Sequence, residues 1–568
     1  MKNPDLILLH APHVYDFRKF PQLYGPVSDL VPATPVFEMY PLGFTSLAEY
    51  LEKAGYRVRI VNLAYRMLRD GRFDVEKFIK KLKTPLFGID LHWLVHAHGA
   101  VEIAKLVKKC HPKSKVIFGG FTASYYWREL IEYPEVDYVM RGDSTEEPMR
   151  AFLRAFKSRR LGMVANLIWK DSRGIVRENA LSHVPDRLGG VMQDHYGGML
   201  RQVFRFRDIK SIIPFRGWLA HPITAVFTCR GCEQQCVFCG GSKAALKKVT
   251  GRSQTAFRTA EEIHRDVKNL SHISRGPIFI LSDIRQGGDG LAADFLHRLQ
   301  REPVKNTVML ELYWPASASF VTDVSLAAPQ FGLSISPHSH NENIRRALGL
   351  NYTNEALEET IAAGLSSGAR RLEVYFMIGL PKQTREDVLA DVAYCEQLLR
   401  RFDGDRRLVL YQGPLAPFLD PGSLAFENPE RYGYKLRHRT LAEHRQALTQ
   451  PSWKHVLNYD TQWLSRDDIM DVTYEAAVRL TQAKAKYGQI SRALADTQTE
   501  RLAQARQLEE KIDGLMQSGQ LEDMSRFRLE IDRVNGFAAV QHRQLIEVPL
   551  GIFRLRYLNS LRRLIAGK

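Results

Sequence analysis

At 568 residues the chain is too long for one ordinary hydrophobic core and predicts about three or four domains. With 45% hydrophobic and 25% charged residues and no repeat or low-complexity tract, it is neither disordered nor fibrous, and no apolar run reaches signal-peptide or membrane-spanning length. The net charge of +17 raises a nucleic-acid reading, yet the basic residues are spread along the chain without an RNA-binding signature, so no specific nucleic acid is expected; a basic surface equally suits an anionic membrane or a phosphorylated substrate. Six cysteines in so long a chain fit a reducing, cytoplasmic setting in which clustered thiols bind metal rather than pair.

Residues 1–157 alternate short β-rich runs with helical stretches. The runs Leu6 to Leu9, Val58 to Leu63, Leu86 to Ile89, Val116 to Phe118 and Val136 to Met140 predict a doubly wound α/β domain with a parallel sheet. The helix between the first two runs is expected to start at a Thr45 N-cap and to end at Gly55. Residues 158–220 read as a linker with its own small sheet, a hairpin of Asn166 to Lys170 and Ile175 to Arg177 around the turn Asp171-Ser172-Arg173-Gly174.

In residues 221–425 the alternation resumes. Ile223 to Phe227, Ile278 to Leu281, Val308 to Tyr313, Gly332 to Ile335, Leu372 to Ile378 and Leu408 to Tyr411 predict a partial (β/α)6 barrel with its chemistry at the C-terminal strand ends. Directly after the first of these strands stands Cys229-Arg230-Gly231-Cys232-Glu233-Gln234-Gln235-Cys236-Val237-Phe238-Cys239. Cys232, Cys236 and Cys239, spaced C-x3-C-x2-C, can wrap a loop around one [4Fe-4S] cubane and leave its fourth iron without a protein ligand. Counting Cys229, four thiols spaced C-x2-C-x3-C-x2-C could instead close a zinc or electron-transfer site. Cys110 and Cys395 lie in helical patterns and read as ordinary buried thiols. Residues 426–568 are expected to be mainly helical, with a helical hairpin over 465–535 and a basic amphipathic tail whose apolar face carries Leu550, Phe553, Tyr557, Leu561, Leu564 and Ile565.

The cysteine motif resembles that of radical S-adenosylmethionine (radical SAM) enzymes, in which SAM chelates the open iron and is cleaved reductively to a 5′-deoxyadenosyl radical that attacks an unactivated carbon. The resemblance implies SAM contacts from Phe238 near the adenine, Ser334 and Ser336 near the carboxylate or ribose, and Gly379 with Pro381 as an adenine wall. The glycine-glycine-glutamate usual after the second strand is absent, and Asp283 is expected to take the amino group, with Glu311 and Glu373 as further candidates.

The N-terminal half is similar to the cobalamin-binding domain found ahead of many such barrels, through Pro41-Leu42-Gly43, Gly55-Tyr56-Arg57-Val58 and Val116 to Thr122. Glycines at the C-terminal edge of an open sheet let a flat cofactor approach backbone, which points to Gly119 and Gly120, with Thr122 and Ser124 bonding the nucleotide tail. The Asp-x-His-x-x-Gly of histidine-ligated cobalamin proteins is missing, and Asp90-Leu91-His92 lacks its glycine, so cobalamin is expected without histidine on cobalt. The resemblance implies methylation of an unactivated carbon of a small-molecule or lipid substrate, with a flavodoxin or ferredoxin as electron donor. Radical cyclisation or carbon-carbon coupling on a lipid or isoprenoid, and a non-catalytic iron-sulfur or nucleic-acid-binding module, are the alternatives. The tail adds an expected contact with a membrane surface.

Overall fold

In a computed structural model, the structure describes residues 3–25, 34–158, 160–189, 195–219, 222–415 and 418–535. The amphipathic tail lies outside them.

The N-terminal strands are β1 (Leu6–His10), β2 (Val58–Asn62), β3 (Leu86–Asp90), β4 (Lys115–Gly119) and β5 (Tyr138–Met140). They run parallel in the order β2-β1-β3-β4-β5, so the strand order reverses between β1 and β3. Their apolar residues are buried on both faces, as helices on either side require. The first helix covers Leu42–Lys53 with Pro41 at its cap, four residues earlier than a Thr45 cap implied; the Thr45 hydroxyl turns back to the Leu42 carbonyl at 2.8 Å instead. Gly55, at φ +88°, ends it as expected.

The expected hairpin exists as β6 (Leu167–Lys170) and β7 (Val176–Glu178), but it forms no sheet of its own. β6 pairs antiparallel with β5 and extends the N-terminal sheet to seven strands. The alternation of Leu167 and Ile168, both fully buried, gives this hairpin two apolar faces that only a continuing sheet can cover.

The barrel is a second, six-stranded parallel sheet. Its first strand β8 (Thr224–Phe227) is followed by a two-residue antiparallel pair, β9 (Cys229–Arg230) with β10 (Ala256–Phe257), and then by β11 (Ile278–Leu281), β12 (Val308–Leu312), β13 (Phe331–His338), β14 (Arg371–Ile378) and β15 (Leu408–Pro414). The order β8-β11-β12-β13-β14-β15 is that of consecutive right-handed β/α units. β13 runs three residues beyond its expected end, with a register shift between Ile335 and His338. The C-terminal region supplies the small pair β16 (Tyr434–Leu436) and β17 (Tyr459–Thr461) and the expected helical hairpin, Arg466–Lys486 with Arg492–Gln517. Ser465 opens that hairpin with a capping box to Asp468. No helix among the described residues is long and apolar enough to cross a membrane.

Candidate active site

The C-terminal ends of β8 and of the N-terminal sheet open into one cavity of about 2020 Å³. Gly231, at φ +118°, starts the loop that carries the cysteines; a Cβ there would stand 2.7 Å from Thr255 Cα, so only glycine makes this turn. Cys232, Cys236 and Cys239 all line the cavity. The loop donates backbone N–H groups to two of the sulfurs, Gln234 to Cys232 at 3.4 Å and Gly241 to Cys239 at 3.3 Å. Gln286 anchors the loop from β11's side by accepting the Glu233 N–H at 2.8 Å. Burial pushes the Cys232 thiol up to about 12 and raises those of Cys236 and Cys239. Three half-buried thiols, two of them with N–H donors on their sulfurs, are a ligand set that needs metal charge to ionise, as an iron-sulfur cluster supplies. Among the described residues no three His, Cys, Asp or Glu side chains converge on a single-ion site. Cys229, in β9, borders the same cavity but is 3% exposed, its thiol directed at the Gly231 carbonyl.

The candidate SAM contacts separate into two groups. Phe238 and Ser336 line the cavity. Ser334 lies one alternation deeper in β13, in register between Glu311 and Glu373 and outside the lining. Asp283 is fully buried and spent: Arg285 grips it through Nε at 2.9 Å and Nη2 at 2.6 Å, and the Tyr313 N–H bonds it at 2.8 Å. Its carboxylate caps a 3-10 turn rather than facing a ligand. Gly379 and Pro381 are also outside the cavity. Gly379 turns at φ +90° against the Tyr459 hydroxyl, and its carbonyl accepts from Tyr434 at 3.0 Å, so this turn packs on the β16–β17 pair and forms no adenine wall. Glu311 does face the cavity; burial raises its carboxyl while the Ser282 N–H, at 2.7 Å, opposes the rise. Glu373 is held by Arg371 at 2.5 Å and the Tyr375 hydroxyl at 2.8 Å.

His338 went unassigned in the sequence. The bulge at the end of β13 places it at φ +66°, where its ring meets Phe238 edge-on at 5.2 Å on the cavity wall. Burial, helped by the Arg345 charge, lowers it to about 4, so it is neutral at pH 7. The only sequence signal was its place beside Ser336.

On the N-terminal side the cavity reaches the crevice between β1 and β3, where the strand order reverses. Gly43 and Gly119 line it, and a Cβ would meet nothing within 4 Å at the first and only the Met140 carbonyl, at 3.7 Å, at the second. These positions are not glycine for the protein's own packing, so they leave room for a large ligand against backbone. Gly120 has a different reason: φ +111° and a Cβ 2.7 Å from His92 backbone. Thr122 and Ser124 do not line the cavity; Thr122 donates to the His92 carbonyl at 3.0 Å, and Ser124 donates to Gly120 at 2.8 Å and accepts from the Gly142 N–H at 3.0 Å. They tie the crevice loops together and have no hydroxyl proton left for a nucleotide tail. His92 lines the crevice beside the Trp93 ring.

Residues 29–152 match the B12 binding domain family, and residues 226–395 match the radical SAM superfamily. The chain is a cobalamin-binding radical SAM enzyme. Its curated relatives include an uncharacterized methyltransferase of Pyrococcus horikoshii, 25% identical over 374 residues, 63% of this chain and 73% of the relative. Another is the hopanoid C-3 methylase of Methylococcus capsulatus, 24% identical over 260 residues and covering 44% of each chain, so less than half of that relative is represented. The structure is similar to that of the radical SAM methyltransferase TsrM from Kitasatospora setae with cobalamin and a [4Fe-4S] cluster bound, at TM-score 0.57 and 16% identity, covering 95% of this chain and all of that one. At that identity the likeness concerns the fold.

Ion pairs tie the stretch that follows β8 to the B12 binding domain. Arg230, in the cysteine motif, pairs with Glu146 of the B12 binding domain at 2.8 and 2.5 Å, and Ser46 donates to the same carboxylate at 2.7 Å. Arg252 grips Asp143 through two nitrogens, the longer contact 3.0 Å.

Proposed function

We propose that the chain is a methyltransferase that uses cobalamin and SAM to methylate an unactivated carbon of a small-molecule or lipid substrate. The observation that carries this reading is the shared cavity, about 2020 Å³, onto which both the cysteine loop and the glycine-lined crevice open. Ordinary ligand sites measure roughly 300–1,000 Å³, so this one has room for a large cofactor, SAM and substrate together. Group transfer needs such shared space, because reacting atoms must approach to about 3–3.5 Å. When bound, the cluster supplies the electron that cleaves SAM, and cobalamin supplies a methyl carrier.

The chain's own residues divide the remaining work. Cys232, Cys236 and Cys239 would hold the cluster, and Phe238 with His338 would wall the side that receives SAM. Ser336 and Glu311 are the polar groups for its amino acid end, with Glu311 taking the place expected of Asp283. Gly43 and Gly119 admit the flat cofactor to the crevice, and Gly120 makes the turn that follows. The relatives named as methyltransferase and methylase favour methylation over cyclisation or coupling. Anaerobically reconstituted protein with SAM and a reductant should release 5′-deoxyadenosine, and substrate turnover should add S-adenosylhomocysteine. Turnover with 5′-deoxyadenosine alone would overturn methyl transfer; neither product would overturn the radical SAM reading.

A further inference from the structure

The cavity does not end beneath the cysteine loop. It continues down the barrel lumen to the N-terminal ends of the strands, where Arg275, Lys305, Arg370, Arg406, Arg407 and Lys484 line it. Each precedes or begins a strand except Lys484, which comes from the helix Arg466–Lys486 across the mouth. Arg275, Lys305, Arg370 and Arg406 are exposed, and none forms an ion pair among the described residues. Arg407, by contrast, is neutralised by Asp405 at 2.6 Å. The carboxylates that line the lumen, Glu311 and Glu373, sit in register across β12 to β14, nearer the cysteines. From Glu311 down to Val308 is three strand residues, about 10 Å at roughly 3.3 Å per residue. Between the two ends the lining includes Met309, Val409 and Arg371, whose charge Glu373 neutralises, and the stacked rings of Tyr375 and Tyr411, 4.6 Å apart, stand one alternation above Glu373 towards the cysteines.

A channel with a cationic far mouth, an internally neutralised ion pair and stacked aromatic rings above it, and the cysteine loop at its head has the polarity of an elongated anionic molecule. We propose that the lower mouth binds the phosphoryl end of an elongated substrate whose reacting carbon lies by the cysteine loop. Several guanidinium groups on one rim favour phosphoryl oxygens over a single carboxylate, because each offers a forked set of donors. The identity of the reacting end rests on the radical SAM reading; the anion site does not.

The test is calorimetry on the anaerobically reconstituted full chain, with dodecyl phosphate below its micelle concentration as probe. Dodecyl phosphate should bind at least tenfold more tightly than dodecanol, and Lys305→Gln with Arg370→Gln together should weaken it at least tenfold. Lys113→Gln, an exposed cation on the other domain, should change nothing. Equal binding of dodecanol and dodecyl phosphate, equal loss in Lys113→Gln, or no loss in the double variant would each overturn the proposal. Dodecanoate binding as tightly as the phosphate would overturn the phosphoryl assignment. SAM cleavage by the same wild-type preparation is read separately, so failure of the radical chemistry and failure of the anion site are distinguishable.

Discussion

Replacing Glu146 by Gln keeps the shape of the side chain but removes the charge that Arg230 faces across the domain boundary. The two side chains are only 4% and 13% exposed, so the variant leaves an arginine nearly buried without its counter-ion. Breaking a buried pair this way costs about 3–5 kcal/mol; the residual exposure of Arg230 places the expectation near 3 kcal/mol. At about 2–4 °C per kcal/mol, the melting midpoint should fall by about 6–12 °C. The pH dependence has a definite sign. Burial alone would raise the Glu146 carboxyl, but the Arg230 charge and the Arg230 and Ser46 hydrogen bonds outweigh it and hold the group below the ordinary glutamate value. A depressed folded value means that the stabilisation is complete above about pH 4.3, the unfolded value, and is lost as pH falls further through the folded one. The gap between wild type and Glu146→Gln should therefore be constant from pH 6 to 8 and close on acidification. Adding Arg230→Met to Glu146→Gln should recover part of the loss, since no lone charge remains. A midpoint change under 2 °C at pH 7, or a gap that widens in acid, would refute the pairing as a structural clamp between the two cofactor regions.

Cys232→Ala, Cys236→Ala and Cys239→Ala should each abolish the cluster, read as iron content and visible absorption after reconstitution, whereas Cys229→Ala should retain it. Gly119→Leu should keep the melting midpoint within about 3 °C, because its side chain enters open space, yet lower cobalamin content at least tenfold; unchanged content would remove the crevice from the binding site. Thr122→Val should cost about 0.5–1.5 kcal/mol of stability by removing one of the two hydrogen bonds on the His92 carbonyl, which keeps the Thr122 N–H, while leaving cobalamin affinity within twofold, and a tenfold loss of affinity would restore the hydroxyl to the ligand. His338→Ala should weaken SAM binding by about 0.5–1.5 kcal/mol, the worth of its ring contact with Phe238, measured by equilibrium binding.

Periodicity made the two sheets legible because both have helix-covered strands, whose uninterrupted apolar runs stand out from polar connections. The motif was legible for a different reason: three thiols within eight residues constrain a loop regardless of its surroundings. What failed to show was partnership across the chain. Asp283 and Glu311 are both acids at strand ends, and nothing in their immediate neighbours except Arg285 hints that one is consumed by that arginine while the other faces the cavity. Gly379-Leu380-Pro381 has the composition of a ligand-shaping turn, but its neighbour proves to be Tyr459, eighty residues downstream in number, so the turn serves packing.

The same distinction explains why glycines were better guides than hydroxyls. A hydroxyl close to a helix start finds a backbone group within its own loop, and Thr122 and Ser124 do so. A glycine at ordinary φ whose absent Cβ touches nothing has no such local explanation. Gly43 and Gly119 are of that kind, and both border the crevice at the β1–β3 reversal, opposite the cysteine loop. Empty space beside backbone on one wall and three thiols on the other are complementary requirements of two cofactors that must meet, and the Arg230–Glu146 pair ties the second wall directly to the helix beside the first.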